Sequence, residues 1–209
     1  MWNQLKENII DILFPKICVG CGKEGNYICE KCSLFLSEAT SIFARGNLRE
    51  VISVWEYEGL IKKIILRIKY DGIFDTINEL VKKVFERREP YIPEDMVITF
   101  VPMFKKKEKR KGFNQAELIA RKVGEITGRE VLPLLEKIKD TPSQTELDKK
   151  ERVKNVKNSF QMKKGASCPR DILIVDDVWT SGATMEECAR VLRKSGARNI
   201  RGFVLARTV

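Results

Sequence analysis

The stretch Ile172–Ile200, ILIVDDVWTSGATMEECARVLRKSGARNI, decides the fold. Ile172 to Val175 carries no polar face, the pattern of a central strand covered on both sides in a parallel sheet. Met185, Cys188, Ala189 and Leu192 share a helical face, Arg193 and Lys194 fall in the last turn, and Gly196 stops the run. The spacing therefore predicts a helix over 185–195. Between strand and helix stand two adjacent acids, Asp176 and Asp177, and then Thr180-Ser181-Gly182-Ala183-Thr184. Open α/β sheets place ligands in such a loop, at the carboxyl end of a strand. Small residues let backbone N–H groups converge, hydroxyls add donors, and the helix N-terminus adds positive potential, which together suit a phosphate. The two acids would repel a phosphate that they faced. They suit instead a diol or a Mg²⁺ on the same ligand. One phosphate beside one diol describes a ribose 5-phosphate. The plainer alternative is a capping turn with an acidic shoulder.

Outward from this segment the same alternation continues. Strands are expected at 50–57, 96–102, 130–135, 171–175 and 199–206, and helices at 59–70, 73–88 and 115–128, the last closed by Gly128. A polar, basic stretch fills 136–164. This order predicts an α/β domain, a mostly parallel sheet flanked by helices, over 46–209. The 209 residues are 43% apolar, which is enough for a full core. The formal charge of +10 favours polyanionic partners, and the absence of histidine excludes any imidazole chemistry. No apolar run approaches the roughly 20 residues of a membrane span. Trp2, Leu5, Ile9, Ile12 and Leu13 have helical spacing, interrupted by Glu7 and Asp11 and closed by Pro15. That pattern reads as a short amphipathic helix rather than a signal peptide, so a cytoplasmic protein with reduced thiols is expected.

Residues 1–45 form a separate unit in this reading. Cys18-x-x-Cys21 is followed after seven residues by Cys29-x-x-Cys32, with Gly20, Gly22 and Gly25 in the turns. Two such pairs in a reducing compartment predict a structural zinc site with four thiolate ligands and no open position for catalysis. Cys168 and Cys188 read as ordinary thiols.

The run Val175-Asp176-Asp177-Val178-Trp179-Thr180-Ser181-Gly182-Ala183-Thr184 resembles the phosphoribosyl pyrophosphate (PRPP) motif of type I phosphoribosyltransferases. ILFP before the cysteines, KYDG at 69–72, KGFNQAELIA at 111–120 and ERVKNVKNSF at 151–160 are together similar to the ComF family of competence proteins. The resemblance covers nearly the whole chain in order. It implies a type I phosphoribosyltransferase fold, PRPP with Mg²⁺ as ligand, and a role in DNA uptake beside competence or recombination proteins. It further implies that Asp176 and Asp177 contact the ribose hydroxyls and that Thr180, Ser181, Gly182, Ala183 and Thr184 grip the 5-phosphate. The loop after strand 97–101 corresponds to a pyrophosphate loop. It runs Lys105-Lys106-Lys107-Glu108-Lys109-Arg110-Lys111, and Arg152 falls in the region of a mobile flap. Lys111 and Lys137 stand where the family pattern has Arg, which keeps the charge and loses the planar fork. Lys69, Tyr70 and Asn155 match the family as well.

Two classes of function follow. In the first the protein is a transferase, with no histidine required, because positioning, a Mg²⁺–pyrophosphate leaving group and carboxylates supply the stabilisation. No pocket for an acceptor base is legible. In the second the basic segments, Lys105, Lys106, Arg110, Lys111 and Arg152 among them, follow a single-stranded DNA backbone, and aromatic residues (Trp55, Tyr57, Phe104, Phe113, Trp179) stack on bases. In that case the PRPP motif is a scaffold or sensor.

Overall fold

The computed structural model describes residues 15–43, 46–88, 90–141 and 154–208. The expected N-terminal amphipathic helix and Arg152 lie outside the described residues. The longest strands are β6 (Asp171–Trp179) and β7 (Asn199–Arg207). They pair in parallel from Asp171↔Asn199 to Trp179↔Arg207. β2 (Glu50–Glu56) adds in parallel to β7, and β3 (Val97–Phe100) adds in parallel to β6. The short β1 (Ile42–Phe43) closes one edge antiparallel to β2, which gives the order β1-β2-β7-β6-β3. A mostly parallel sheet was the expectation, and its near-continuous apolar strands are why it forms: Ile172 to Val175 and Phe203 to Ala206 are buried throughout.

Helices cover both faces. In α2 (Gly59–Asp71), Ile61, Ile64, Ile65 and Ile68 form one buried stripe, and Gly72 ends the helix in the left-handed region. α3 (Asp75–Arg88) packs on α5 (Gln115–Thr127), which lies against β3 and β6. The start of α5 is fixed by Asn114, whose side chain accepts from the Ala116 N–H at 3.0 Å and donates to the Val101 carbonyl at 3.0 Å. On the opposite face α6 (Ala183–Lys194) approaches β7 so closely that a Cβ on Gly202 would meet Met185 Sδ at 2.4 Å.

Three elements depart from the sequence-based expectation. The strand expected to end at Val175 runs on to Trp179, because β7 continues alongside and supplies ladder partners for Asp176 and Val178. The expected strand over 130–135 is reduced to one bridge, Val131 to Ile98. Pro133 cannot donate to a ladder, and regular pairing begins only at β4 (Leu135–Lys137), antiparallel to β5 (Phe160–Met162). The run Lys105–Lys111, read as a loop, is a helix, α4, capped by Gly112 at φ 85°. Its Lys, Arg and Glu residues are good helix formers, which outweighs their mutual repulsion on a solvated turn.

The described part of the cysteine segment packs against this domain. Ile28 and Leu36 belong to the same buried cluster as α2 and α3. Glu79 on α3 accepts the backbone N–H groups of Tyr27 and Ile28 at 3.0 and 2.8 Å. Arg87 donates to the carbonyl of Ser33, the last residue of the one-turn α1 (Glu30–Ser33), at 2.8 Å.

Candidate functional site

Because side chains alternate along a strand, Asp176 and Asp177 leave β6 on opposite faces of the sheet. Asp176 shares a face with Ile174, whose ladder partner Gly202 lies under α6. Asp177 faces α2 and α5: Lys69 Nζ is 2.7 Å from its Oδ2, and Gln115 Nε2 donates to the same oxygen at 3.5 Å. Its Oδ1 accepts the Val178 N–H at 2.9 Å. The Asp177 N–H in turn donates to Asp176 Oδ1 at 2.8 Å. Gln115 also accepts from Lys111 Nζ at 2.7 Å, and that ammonium sits 4.2 Å from the centre of the Phe113 ring. Both acids sit inside the strand rather than beyond it, and among the described residues the ion pair is made at Asp177.

The electrostatics follow from this split. Burial opposes ionisation of both acids. At Asp177 the Lys69 ammonium overcomes it and holds the carboxyl below the usual carboxylate range. At Asp176 burial and the neighbouring Asp177 charge act together and push the carboxyl well above that range. Burial also works against the Lys69 charge, but Asp177 prevails and brings that ammonium up to about 12.

The loop beyond the acids is shaped for close backbone approach. Gly182 is the N-cap of α6 at φ 77°, and a Cβ there would meet the Trp179 ring at 2.3 Å, so no other residue fits without rearrangement. Ser181 Oγ accepts the Ala183 N–H at 3.4 Å, which gives that hydroxyl a capping role as well as a candidate binding role. Thr180, Ser181 and Thr184 are half-buried, while Gly182 and Ala183 are buried beneath them.

Cations stand on two sides. On α4, Lys105, Lys106, Lys109 and Arg110 are exposed, and their spacing puts them on one helical face. Lys107 turns inward to Asp140 Oδ1 at 2.8 Å and the Thr141 carbonyl at 2.6 Å. Lys137, on β4 beside Phe104, lies 5.4 Å from the centre of the Phe160 ring. Burial, and then the Lys107 charge, depress its ammonium, against the opposing pull of Cys188 and Asp176. Among the expected aromatics, Trp55 is fully buried in the core and cannot stack on a base. Phe113 packs edge-on against Phe74. Tyr70 is exposed. Cys188 is a fully buried core thiol, and Cys168 donates to the Leu192 carbonyl at 3.6 Å.

Sequence reasoning placed Lys69 in a family motif without a role and gave Gln115 none. The available signal was Lys69 itself: a cation directly after Ile68 on the buried stripe of α2 must find a partner.

The four cysteines converge. The Sγ atoms of Cys18, Cys21, Cys29 and Cys32 all lie within 4.8 Å of one another. Tetrahedral thiolates at about 2.3 Å from a zinc ion stand about 3.8 Å apart, so this cage suits that ion with small adjustment. A Cβ on Gly20 would come within 2.7 Å of Cys32 Sγ, which explains the glycine in the first knuckle. Burial opposes the Cys18 thiolate, yet backbone N–H groups of Cys29, Cys21 and Gly20 bring it to about 6. Cys32 is pushed up to about 12, chiefly by its hydrogen bond to Cys29 and by burial. Within the cluster the charged form is thus favoured at Cys18 and opposed at Cys32. Among the described residues no helix is long and apolar enough to cross a membrane.

Comparison with known proteins adds the following. No protein-family model matches the chain. It is 30% identical to competence protein ComFC of Streptococcus pneumoniae R6, over 91% of this chain and 80% of that protein. Competence protein F of Haemophilus influenzae Rd is 27% identical, over 93% and 85% respectively. DNA utilization protein YhgH of Salmonella typhi is 25% identical, over 77% and 73%. Similar solved structures include the allosteric regulatory enzyme of purine biosynthesis, at 21% identity, 61% of this chain, 25% of that chain and a TM-score of 0.41. An adenine phosphoribosyltransferase structure is 17% identical, over 69% and 74%, with a TM-score of 0.39.

Proposed function

We propose, from the premise that the chain belongs to the ComF family of competence proteins, that it binds PRPP or a related phosphoribosyl ligand at the end of β6 and acts in DNA uptake. The observation that carries the reading is one juxtaposition. On a central parallel strand, Val178 and Trp179 alone separate an acid pair from the small-residue turn at the N-terminus of α6. In this reading the backbone N–H groups of Ser181 to Thr184 and the nearby hydroxyls receive the 5-phosphate. Asp176 orders the ribose hydroxyls, with Asp177, held by Lys69, as the charged partner beside it. Lys137 and the cations of α4, Lys105, Lys106, Arg110 and Lys111, offset the pyrophosphate charge. A Mg²⁺ ion, when bound with the ligand, supplies further neutralisation of that pyrophosphate. Zinc in the four-cysteine cage fixes the segment that docks on α3. We place the protein in the cytoplasm, where all six thiols stay free of disulfides.

Calorimetric titration of PRPP with Mg²⁺ into the zinc-loaded protein tests the reading, run beside the Asp176→Asn, Asp177→Asn double variant. Saturable binding that the double variant loses is the expected result. A wild-type protein that binds no PRPP would sink it. Transferase activity is a separate question of acceptor, read as pyrophosphate released from PRPP in the presence of candidate bases and amines.

A second reading is favoured by one observation, the exposed cationic face of α4. Four outward cations on two turns suit the phosphates of single-stranded DNA. The relatives' names, competence and DNA utilization, point the same way. Both readings hold together if the same protein senses a phosphoribosyl ligand while it holds a strand.

A further inference from the structure

We propose that Lys69 is a resident cation for the acid pair: its ammonium occupies on Asp177 the position that a divalent metal would otherwise take. The inference deepens the phosphoribosyl reading and depends on it only for the identity of the ligand.

Three observations carry it. First, Lys69 serves both acids: its Nζ is 2.7 Å from Asp177 Oδ2, and its charge also favours ionisation of Asp176, whose carboxyl lies in hydrogen-bonding reach of Asp177. Second, both oxygens of Asp177 are already engaged. Oδ2 takes Lys69 Nζ at 2.7 Å and Gln115 Nε2 at 3.5 Å, and Oδ1 takes the Val178 N–H. Third, the cation is held from behind. Lys69 follows Ile68 on the buried stripe of α2, its side chain is 27% exposed, and Asp177's is 10% exposed. A surface ion pair would exchange freely with solvent ions, but this one is walled in by two helices and a strand. Gln115, itself oriented by Lys111 at 2.7 Å, completes the donor set.

The consequence is a division of labour. Asp177 is a pre-ionised, immobile carboxylate whose charge is balanced within the protein. Asp176 is the acid left to answer an incoming ligand. Lys69 is therefore a positioning residue, and the protein presents its diol-binding edge without first recruiting a metal ion.

The test uses the full chain and Mn²⁺ alone as probe, with free Mn²⁺ read by electron paramagnetic resonance. Lys69→Met keeps the aliphatic stem and removes the charge. It should bind Mn²⁺ at least about tenfold more tightly than wild type, because Asp177 is left as an uncompensated carboxylate. Lys69→Arg should behave as wild type. Lys69→Met combined with Asp177→Asn should lose the gain, and it also controls for folding, since the buried pair becomes neutral and isosteric. Circular dichroism confirms that each variant is folded. Equal Mn²⁺ affinity in wild type and folded Lys69→Met would overturn the proposal. So would tight wild-type binding that Asp177→Asn abolishes, since Asp177 would then hold metal with Lys69 in place. The assay contains no sugar phosphate, so its failure is distinct from failure of the phosphoribosyl reading.

Discussion

The two adjacent aspartates shift in opposite directions because Lys69 pairs directly with Asp177, while burial and the Asp177 charge prevail at Asp176. The pH behaviour follows with a definite sign. Asp177 is depressed by Lys69, so the stability it adds is present above the ordinary carboxylate range and is lost as pH falls through its lowered value. Lys69 is raised to about 12, so its share is present below its ordinary value of 10.5 and is lost as pH rises through about 12. Asp176 runs the other way. Its raised value means that the folded state resists ionisation, so stability falls as pH climbs from the ordinary carboxylate value through the raised one. Asp176→Asn should therefore raise Tm at pH 7 by about 2–4 °C per kcal/mol gained, while phosphoribosyl binding is lost. The gain should vanish below the ordinary carboxylate value, where the acid is protonated in the folded and unfolded chain alike, and a pH series of thermal melts reads both effects. Gly182→Ala tests the loop. An alanine at φ 77° costs roughly 1–3 kcal/mol and collides with the Trp179 ring, so both Tm and ligand affinity should fall, with Trp179 fluorescence reporting the displaced ring.

At the scale of elements, α4 separates its cations by direction. The exposed four face solvent, whereas Lys107 pairs with Asp140 and Lys111 donates to Gln115 beside the acid pair. Replacing Lys105, Lys106, Lys109 and Arg110 by alanine should leave Tm nearly unchanged. If single-stranded DNA lies there, the slope of log affinity against log salt should flatten by about 3, as four lost phosphate contacts require. An unchanged slope would move the DNA path elsewhere. This helix also marks a limit of legibility. A charge run has no apolar period, so the sequence offered a loop, and the helix emerges from propensity together with the glycine cap at 112. The order of strands and helices was legible from Ile172–Val175, Leu192 and Gly128 because burial imposes their periodicity. Strand β6 was read too short because its continuation depends on β7, remote in sequence but adjacent in the sheet. The loop residues were legible one by one. The opposite facing of the acids and the Lys69–Asp177 contact were not, since they require knowing which helix covers which face.

For the whole molecule, the question is how the cysteine segment and the α/β domain share stability. Ile28 and Leu36 are buried in the common core, and Glu79 and Arg87 reach from α3 into the knuckle. Removing zinc with a chelator should therefore lower Tm in a single cooperative transition in scanning calorimetry, without a separate early melt of the knuckle. Two resolved transitions would show that the two parts unfold independently. Glu79→Ala should cost about 2–3 kcal/mol with metal bound, since two half-buried N–H groups lose a charged acceptor, and should loosen the cage measurably in a competition for zinc.

The Glu79 contact has a further consequence for where this protein can be cut. A fragment beginning at residue 46 would keep the four parallel strands but lose β1, leave a carboxylate on α3 without the Tyr27 and Ile28 donors and remove the apolar cover that Ile28 and Leu36 supply. A cut at residue 46 would therefore expose a face of α3 that the cysteine segment covers. A shuffled gene that grafted the α/β part alone onto another protein would inherit an open wound on α3, and its first need would be a new patch for that helix.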